Sequence, residues 1–198
     1  MKSIHRNTTL QILVATISLS TLSPAHAESA VAGKYKIDPA HSSVEFNVGH
    51  LGIARLAGRF NTIEGTINLM PNGKSAVDVT IQTASIDSNH PKRDVHLRSP
   101  DFFNSVQFPV MRFVSKTVSY NAAGEPVRID GDLDLHGVTK PVTLTVKPIG
   151  AGKDPWGGYR SGYTATTVIK RSEFGIKFMS GGIGEDVTVT LQIEAIKL

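Results

Sequence analysis

Apolar and polar residues alternate with a period of two along most of this chain of 198 residues. The clearest example is IDGDLDL at residues 129–135, in which every second residue is an aspartate. Because successive side chains of a β-strand point to opposite faces, this pattern predicts strands with one apolar and one polar face. Turn signals such as Pro71-Asn72-Gly73 separate the alternating segments. The sequence therefore predicts an all-β protein with about eight antiparallel strands.

Two features favour a closed barrel over a β-sandwich, which is the alternative for such a pattern. Two predicted strands are long, at residues 55–70 and 159–171. The first contains Gly58 and Gly65, which allow tight coiling around a barrel. Its apolar residues also change phase near Asn61-Thr62, which predicts a bulge or bend.

The segment RDVHLRSPDFF at residues 93–103 does not alternate. Its mixture of charged and apolar residues suits a short helix or turn that covers an apolar interior. We therefore predict a short helical insert near residues 91–103, oriented by an ion pair between Arg93 and Asp94. The glycine-rich residues 150–158 are predicted to form a loop.

The first 27 residues have the organisation of a secretory signal peptide. A basic start with Lys2 and Arg6 precedes an apolar run at residues 10–22, and small residues follow at Ala25-His26-Ala27. Cleavage is predicted after Ala27, which leaves residues 28–198 as a single domain. The alternative, a transmembrane anchor, needs about 20 apolar residues, and this run is shorter and interrupted by polar side chains. The mature protein is therefore predicted to be exported and not membrane-spanning.

Composition excludes several classes of function. The chain has no cysteine, which excludes disulfides, a lipid-modified N-terminal cysteine and a thiol nucleophile. Of the 21 basic residues, Lys2 and Arg6 belong to the signal peptide, so the mature chain has 19 basic and 17 acidic side chains. Charges of both signs are interspersed, and we predict no nucleic-acid partner.

Catalytic and metal-binding motifs were sought and not found. The five histidines of the mature chain are not placed in HExxH or at a spacing of i and i+4, so no metal and no cofactor is predicted. They are His41, His50, His90, His96 and His136. The sequence contains no GxSxG, and Lys153 in GAGK is followed by aspartate, not by the serine or threonine of a phosphate loop.

Several motifs in order along the chain resemble the YceI-like family of exported bacterial proteins. They include YKIDPAHS at 35–42, FNVGHLG at 46–52, the segment 93–103, GDLDLHGVTKPV at 131–142 and RSEFGI at 171–176. The resemblance implies an eight-stranded antiparallel lipocalin-like barrel in the periplasm. It also implies an apolar cavity that holds a long-chain isoprenoid or a fatty-acid-like lipid, with no metal and no enzymatic activity.

The inward-facing positions of the predicted strands, with three residues of the insert, are the candidate ligand-binding residues. They are Val44, Phe46, Phe60, Ile67, Val79, Ile81, Leu97, Phe102, Phe103, Phe113, Leu133, Leu135, Leu144 and Phe174.

The leading hypothesis is a non-enzymatic carrier or store of an isoprenoid-type lipid. From the residues alone, the phenylalanines could equally pack as a solid core, which would suit an interaction module. A third hypothesis is an enzyme that uses His50, His96 or Asp94 at the barrel mouth. The oligomeric state is open, with a homodimer as one option.

Overall fold

The computed structural model describes residues 29–71 and 73–198. The predicted signal peptide, residues 1–27, lies outside the described residues, and its cleavage stays a prediction. The strands are β1 (Gly33–Ile37), β2 (Ser43–His50), β3 (Ala54–Phe60), β4 (Ile63–Leu69), β5 (Ala76–Gln82), β6 (Ile86–Asp87), β7 (Val110–Tyr120), β8 (Pro126–Leu135), β9 (Val138–Lys153), β10 (Tyr159–Lys170) and β11 (Ile183–Lys197). The α-helix is α1 (Pro91–Leu97), and 3₁₀ turns lie at Thr83–Ser85 and Arg171–Phe174.

The strand segments form a closed antiparallel barrel, which confirms the predicted fold. Eight continuous strands surround the barrel axis, and we call each of them a stave. Three staves are bent and consist of two consecutive segments each, namely β1 with β2, β3 with β4, and β5 with β6. Accordingly β1 pairs with β4 while β2 pairs with β3. The barrel closes at β11, which pairs with β1 through its C-terminal part and with β2 through its N-terminal part. Because every stave pairs with its neighbours in sequence, the connections fall alternately at the two ends of the barrel.

The predicted bend at Asn61-Thr62 is confirmed, since β3 ends at Phe60 and β4 begins at Ile63. Glycine is required beside this bend because the barrel wall is crowded there. A side chain at Gly58 would collide with the ring of Phe46 on β2. The lack of a side chain at Gly58 leaves the space that the Phe46 ring occupies.

The prediction of a loop at residues 150–158 is wrong for residues 150–153. Strand β9 continues to Lys153, which pairs with Tyr159 on β10, so the turn is confined to residues 154–158. In that turn the Asp154 carboxylate accepts a hydrogen bond from the Gly158 backbone N–H at 2.7 Å. Glycine content indicated a loop, but pairing with the neighbouring strand satisfies the backbone groups and overrides that preference.

The helical insert is confirmed at α1, and residues 98–109 continue it as turns and short coil. The prediction of an ion pair between Arg93 and Asp94 is wrong, because both side chains bind Ser88 instead. The Ser88 backbone N–H donates to Asp94 Oδ1 at 2.8 Å, and Arg93 Nε donates to Ser88 Oγ at 2.7 Å. Asp94 also lies in the first turn, where a carboxylate is favoured. These bonds fix the helix against the end of β6. In the part of the chain that the structure describes, no helix is long and apolar enough to cross a membrane.

Candidate functional site

An apolar cavity of about 150 Å³ occupies the half of the barrel next to α1. Its wall is formed by the inward-facing side chains of the staves together with residues of the insert. These are Val44, Phe46, Val48, Phe60, Val79, Ile81, Leu97, Phe102, Phe103, Met111, Phe113, Leu133, Leu135, Val142, Leu144, Thr167, Ile169, Arg171, Ile176, Val187, Val189 and Leu191. Apart from Thr167 and Arg171, every side chain in this wall is apolar.

Aromatic side chains close the end of the cavity beneath the insert. The ring of Phe103 packs edge-on against Phe60, with 5.3 Å between the ring centres, and Phe60 lies 5.8 Å from Phe46. Phe102 is buried and packs 5.2 Å from Phe178, which belongs to the connection between β10 and β11. The barrel interior is therefore covered by rings from several separate segments.

Twelve of the fourteen candidate ligand-binding residues lie in this wall, and the other two, Ile67 and Phe174, do not. Ile67 lies in the other half of the barrel, where it lines a second apolar cavity of about 50 Å³. Phe174 is 2% exposed and packs in the core at the 3₁₀ turn, outside the walls of both cavities. Contact with a ligand stays a prediction for all fourteen.

The two cavities are neighbours along the barrel axis. Val79, Leu144 and Leu191 belong to both walls, so these side chains lie between the two spaces. Side chains in cores hop between rotamers, and a chain-like ligand that displaced these three would occupy one continuous channel. The partition lies at the level where β5, β9 and β11 face one another.

Sequence reasoning missed ten residues of the wall. They are Val48, Met111, Val142, Thr167, Ile169, Arg171, Ile176, Val187, Val189 and Leu191. A usable signal was present in β11, where Val187, Val189 and Leu191 alternate with polar Thr188 and Thr190. In β10 the inward positions include Thr167, and Arg171 follows in the adjoining 3₁₀ turn, so the period-two pattern there was harder to assign to a face.

Arg171 is the polar residue of the wall with the clearest structural task. It is buried, and its guanidinium donates hydrogen bonds to the backbone carbonyls of Ile176, Phe178, Ile183 and Gly184 at 2.9–3.1 Å. Four carbonyls therefore satisfy the buried cation, and the same bonds hold the connection between β10 and β11 in place. Only the hydrocarbon part of the side chain is left to face the apolar cavity.

A surface groove of about 580 Å³ adjoins the cavity at the barrel mouth. Phe46, Val48, Leu97 and Phe102 line both the groove and the cavity. The remaining wall of the groove comes from the adjoining ends of β2 and β3, from α1, from the β10–β11 connection and from the start of β11. The polar side chains in it are His50, Arg55, Arg93 and His96, and the described wall contributes no carboxylate.

The residues proposed for a catalytic site are only partly brought together, since His50 and His96 line the groove and Asp94 does not. Asp94 is buried and accepts hydrogen bonds from Ser88, so it does not line the mouth. His96 does line the mouth, and its Nε2 lies 2.8 Å from a carboxylate oxygen of Asp101. However, the described walls of the groove and cavity offer a single hydroxyl, that of Thr167, and no thiol. A histidine without a neighbouring nucleophile has no evident covalent chemistry to perform.

A cluster of metal-ligand residue types lies at the other end of the barrel. The ligand atoms of Asp38, His41 and Glu194 lie within 4.8 Å of one another. Arg160 Nη1 donates to Asp38 Oδ2 and to Glu194 Oε1, both at 2.6 Å. Because the Arg160 guanidinium already binds both carboxylates, these atoms form an ion-pair network that ties β10 and β11 to the end of β1.

Comparisons with known proteins agree with this architecture. The family model described as YceI-like domain matches residues 35–195. A UPF0312 protein of Shewanella denitrificans is 42% identical over 192 residues, covering 94% of this chain and 97% of the relative.

Solved structures share the barrel fold at lower identity. The chain is similar to BcnA of Burkholderia cenocepacia with a TM-score of 0.69 and 20% identity, covering 80% of this chain and 98% of that one. It is also similar to a polyisoprenoid binding domain of Saccharophagus degradans with a TM-score of 0.63 and 16% identity, covering 83% and 98%.

Proposed function

Because the chain belongs to the YceI-like family, we propose that it binds the hydrocarbon chain of a lipid inside its barrel. The observation that carries the proposal is the hollow, apolar interior beneath the insert, about 150 Å³ in volume. A barrel packed solid by its phenylalanines would be expected of an interaction module, and the cavity argues against that alternative.

The energetics favour an apolar occupant over water or empty space. Cavities of this volume with a wall of leucine, isoleucine and phenylalanine stay dry and bind apolar molecules. At about 24 cal/mol per Å³, an empty cavity of this size costs about 4 kcal/mol of folding stability. A hydrocarbon that fills the space restores those contacts, so ligand binding is expected to stabilise the fold.

An isoprenoid chain is the proposed ligand, with a fatty-acid-like chain as the alternative. Each five-carbon unit that leaves water contributes about 4 kcal/mol before the entropy of ordering the chain is subtracted. Two adjoining cavities separated by three side chains suit a long, thin molecule. The domain of Saccharophagus degradans described as polyisoprenoid binding has the same fold and supports this choice.

The function that follows is carriage or storage without catalysis. The walls of the groove and cavity lack a nucleophile–base pair in their described residues, which supports a non-enzymatic role.

We further propose that the protein works in the periplasm after cleavage behind Ala27. Mass spectrometry of the mature protein from periplasmic extract is expected to find Glu28 at its N-terminus, and retention of residues 1–27 would contradict export by this route.

A cavity-filling substitution tests the proposed site. Val79→Phe places a larger side chain between the two cavities, and we expect it to weaken binding of a four-unit isoprenoid alcohol by about tenfold or more, equivalent to about 1.4 kcal/mol. The matched control is Thr80→Phe, which adds a ring on the outer face of the same strand and is expected to leave binding unchanged. Binding is followed by the ligand-induced rise of the unfolding temperature and by native mass spectrometry. Equal affinity for both variants and the wild type would contradict binding inside the barrel.

A further inference from the structure

Large apolar side chains are exposed on two neighbouring turns at the mouth of the barrel. Leu51 and Ile53 lie in the turn between β2 and β3, where Ile53 is 83% exposed. Phe178 and Met179 lie in the connection between β10 and β11 and are 39% and 48% exposed. We call these four residues the apolar tip. Exposed apolar residues are common singly, but a group of four large ones marks a binding surface.

Turn chemistry does not explain the apolar tip. Leu51 and Met179 have φ angles of 54° and 53°, in the left-handed region that glycine and asparagine adopt most readily. A bulky side chain at such a position is unfavourable for the backbone, and its exposure to water gives no compensating burial. Both turns nevertheless have a bulky residue with a positive φ angle and expose its side chain to water. This indicates a role for the side chains themselves.

The apolar tip is one continuous surface. The Leu51 backbone N–H donates to the Gly182 carbonyl at 2.7 Å, which joins the two turns. A side chain at Gly182 would meet the side chains of both Leu51 and Met179. Phe178 packs against His96 of α1, with 5.0 Å between the ring centres. Since Phe178 and Met179 also line the groove at the mouth, the tip adjoins the entrance to the cavity.

Three cations beside the apolar tip lack carboxylate partners, whereas several arginines on the barrel sides have them. On the outer faces of the staves, Arg112 is paired with Asp78 and Arg128 with Asp130. Among residues 29–71 and 73–198, no carboxylate lies within salt-bridge distance of Arg55, Arg93 or Lys177. Unneutralised cations around an apolar patch complement the phosphates of an anionic bilayer.

We propose that the mouth of the barrel docks on an anionic lipid bilayer, with the apolar tip inserted among the lipids and Arg55 and Lys177 at the headgroups. This inference rests on the proposed function, because a lipid ligand gives the docking its purpose. The groove between the tip and α1 then faces the membrane. A hydrocarbon chain passes between bilayer and cavity without crossing water.

Vesicle flotation with the full mature protein tests this docking. The vesicles are phosphatidylcholine alone or phosphatidylcholine mixed with an equal amount of phosphatidylglycerol. We expect the wild type to float with the anionic vesicles and the double variant Ile53→Asp, Met179→Asp to lose binding by about tenfold or more, since two apolar side chains no longer enter the bilayer. The control is Trp156→Asp, because Trp156 is 76% exposed in the turn at the opposite end of the barrel and is expected to be dispensable.

A second double variant leaves Leu51 and Met179, the two residues with positive φ angles, unchanged. Arg55→Gln with Lys177→Gln is expected to weaken binding to the anionic vesicles and to reduce its salt dependence, while leaving the apolar tip intact. Thermal unfolding of each variant checks that the fold is retained.

The outcomes separate docking from lipid binding. Failure of the wild type to bind either kind of vesicle, or equal binding by the wild type, the tip variant and the Arg55→Gln, Lys177→Gln variant, overturns the docking. Equal losses for Trp156→Asp and the tip variant also overturn it, because the effect is then not specific to the mouth. Native mass spectrometry of the same samples reports cavity occupancy, so docking can fail while the proposed lipid binding stands.

Discussion

The carboxyl group of Asp38 has a lowered pKa because of the side chains that bind it. Its carboxylate lies 2.8 Å from His41 Nδ1 and accepts from Arg160 Nη1 at 2.6 Å, and these bonds hold its pKa at about 2. An unfolded aspartate titrates near 3.9. Because the folded-state pKa is depressed, the bonds stabilise the protein fully above the unfolded pKa and are lost as the pH falls through the folded pKa.

The first prediction concerns acid unfolding. For the wild type, the free energy of unfolding is expected to fall by about 1–2 kcal/mol between pH 4 and pH 2 through Asp38, with solvent screening allowed for. Asp38→Asn is expected to lower stability at pH 7 by a similar amount and to flatten the dependence in that window. Urea unfolding at a series of pH values measures both quantities. An unchanged slope in the variant would show that Asp38 is not the group responsible.

The second prediction concerns Arg171, which binds four backbone carbonyls from the β10–β11 connection and the start of β11. Arg171→Met fills similar space but leaves those carbonyls without their donor, and we expect a loss of about 3 kcal/mol in the free energy of unfolding. Arg128→Met is the control, because Arg128 forms an exposed ion pair with Asp130 and is expected to lose about 0.5 kcal/mol or less. Similar losses for both variants in urea unfolding would contradict the assignment.

At the level of single residues, alternation identified much of the wall on the regular strands, although the inward residues of β11 were missed. Phe113 and Leu133 face inward as the period-two pattern predicts, and both line the cavity. Phe174 lies in a 3₁₀ turn outside the cavity wall, where strand periodicity no longer states which way a side chain points, and its contact with a ligand stays a prediction. The position of Arg171 was also beyond sequence reasoning, since a buried cation depends on carbonyls that only the tertiary structure brings together.

Among the elements, the insert determines whether the barrel is open or closed at the mouth. Strand β3 pairs with β6 only at Arg59 and Phe60, so the remainder of its edge lacks a strand neighbour on that side in the described chain. Residues of α1 and the turns after it occupy this side and place Leu97, Phe102 and Phe103 over the cavity. The insert thus replaces part of the barrel wall with a unit that makes fewer backbone bonds to its neighbours.

The third prediction concerns release of the bound lipid. Phe103→Ala removes the ring that packs edge-on against Phe60, and we expect lipid transfer to acceptor vesicles to accelerate by about tenfold, with a loss of about 2 kcal/mol in stability. Val106→Ala is the control, since Val106 lies on the same insert and is almost fully exposed. Unchanged transfer in Phe103→Ala would show that the insert does not limit release.

Element boundaries were predictable where turn signals and strand phase agreed. The bend at Asn61-Thr62 and the helix near residue 91 follow from the change of phase and from the loss of alternation. The extension of β9 to Lys153 did not follow, because glycines permit either loop or strand and the decision rests on pairing with β10. The bonds of Arg93 and Asp94 to Ser88 were likewise decided by the end of β6, which lies nearby only in the folded chain.

Over the whole molecule, the two ends of the barrel have different tasks. The end with Asp38, Arg160 and Glu194 is held together by ion pairs, and the neighbouring half of the interior contains only a small cavity of about 50 Å³. The other half is hollow and closes with aromatic rings and an insert. A chain without disulfides therefore has an ion-pair network away from the opening, and the fold can keep an unfilled space where a ligand enters.

The central claim is that this space holds a long hydrocarbon chain, and lipid extraction measures it most directly. The mature protein is purified from its native cells without detergent, and the extract and the intact complex are both analysed by mass spectrometry. The account predicts one lipid with a long isoprenoid or fatty-acid-like chain per protein molecule, displaced by Val79→Phe and retained by Thr80→Phe. Repeated recovery of the protein without any lipid, together with an experimental structure in which side chains fill the barrel, would contradict it.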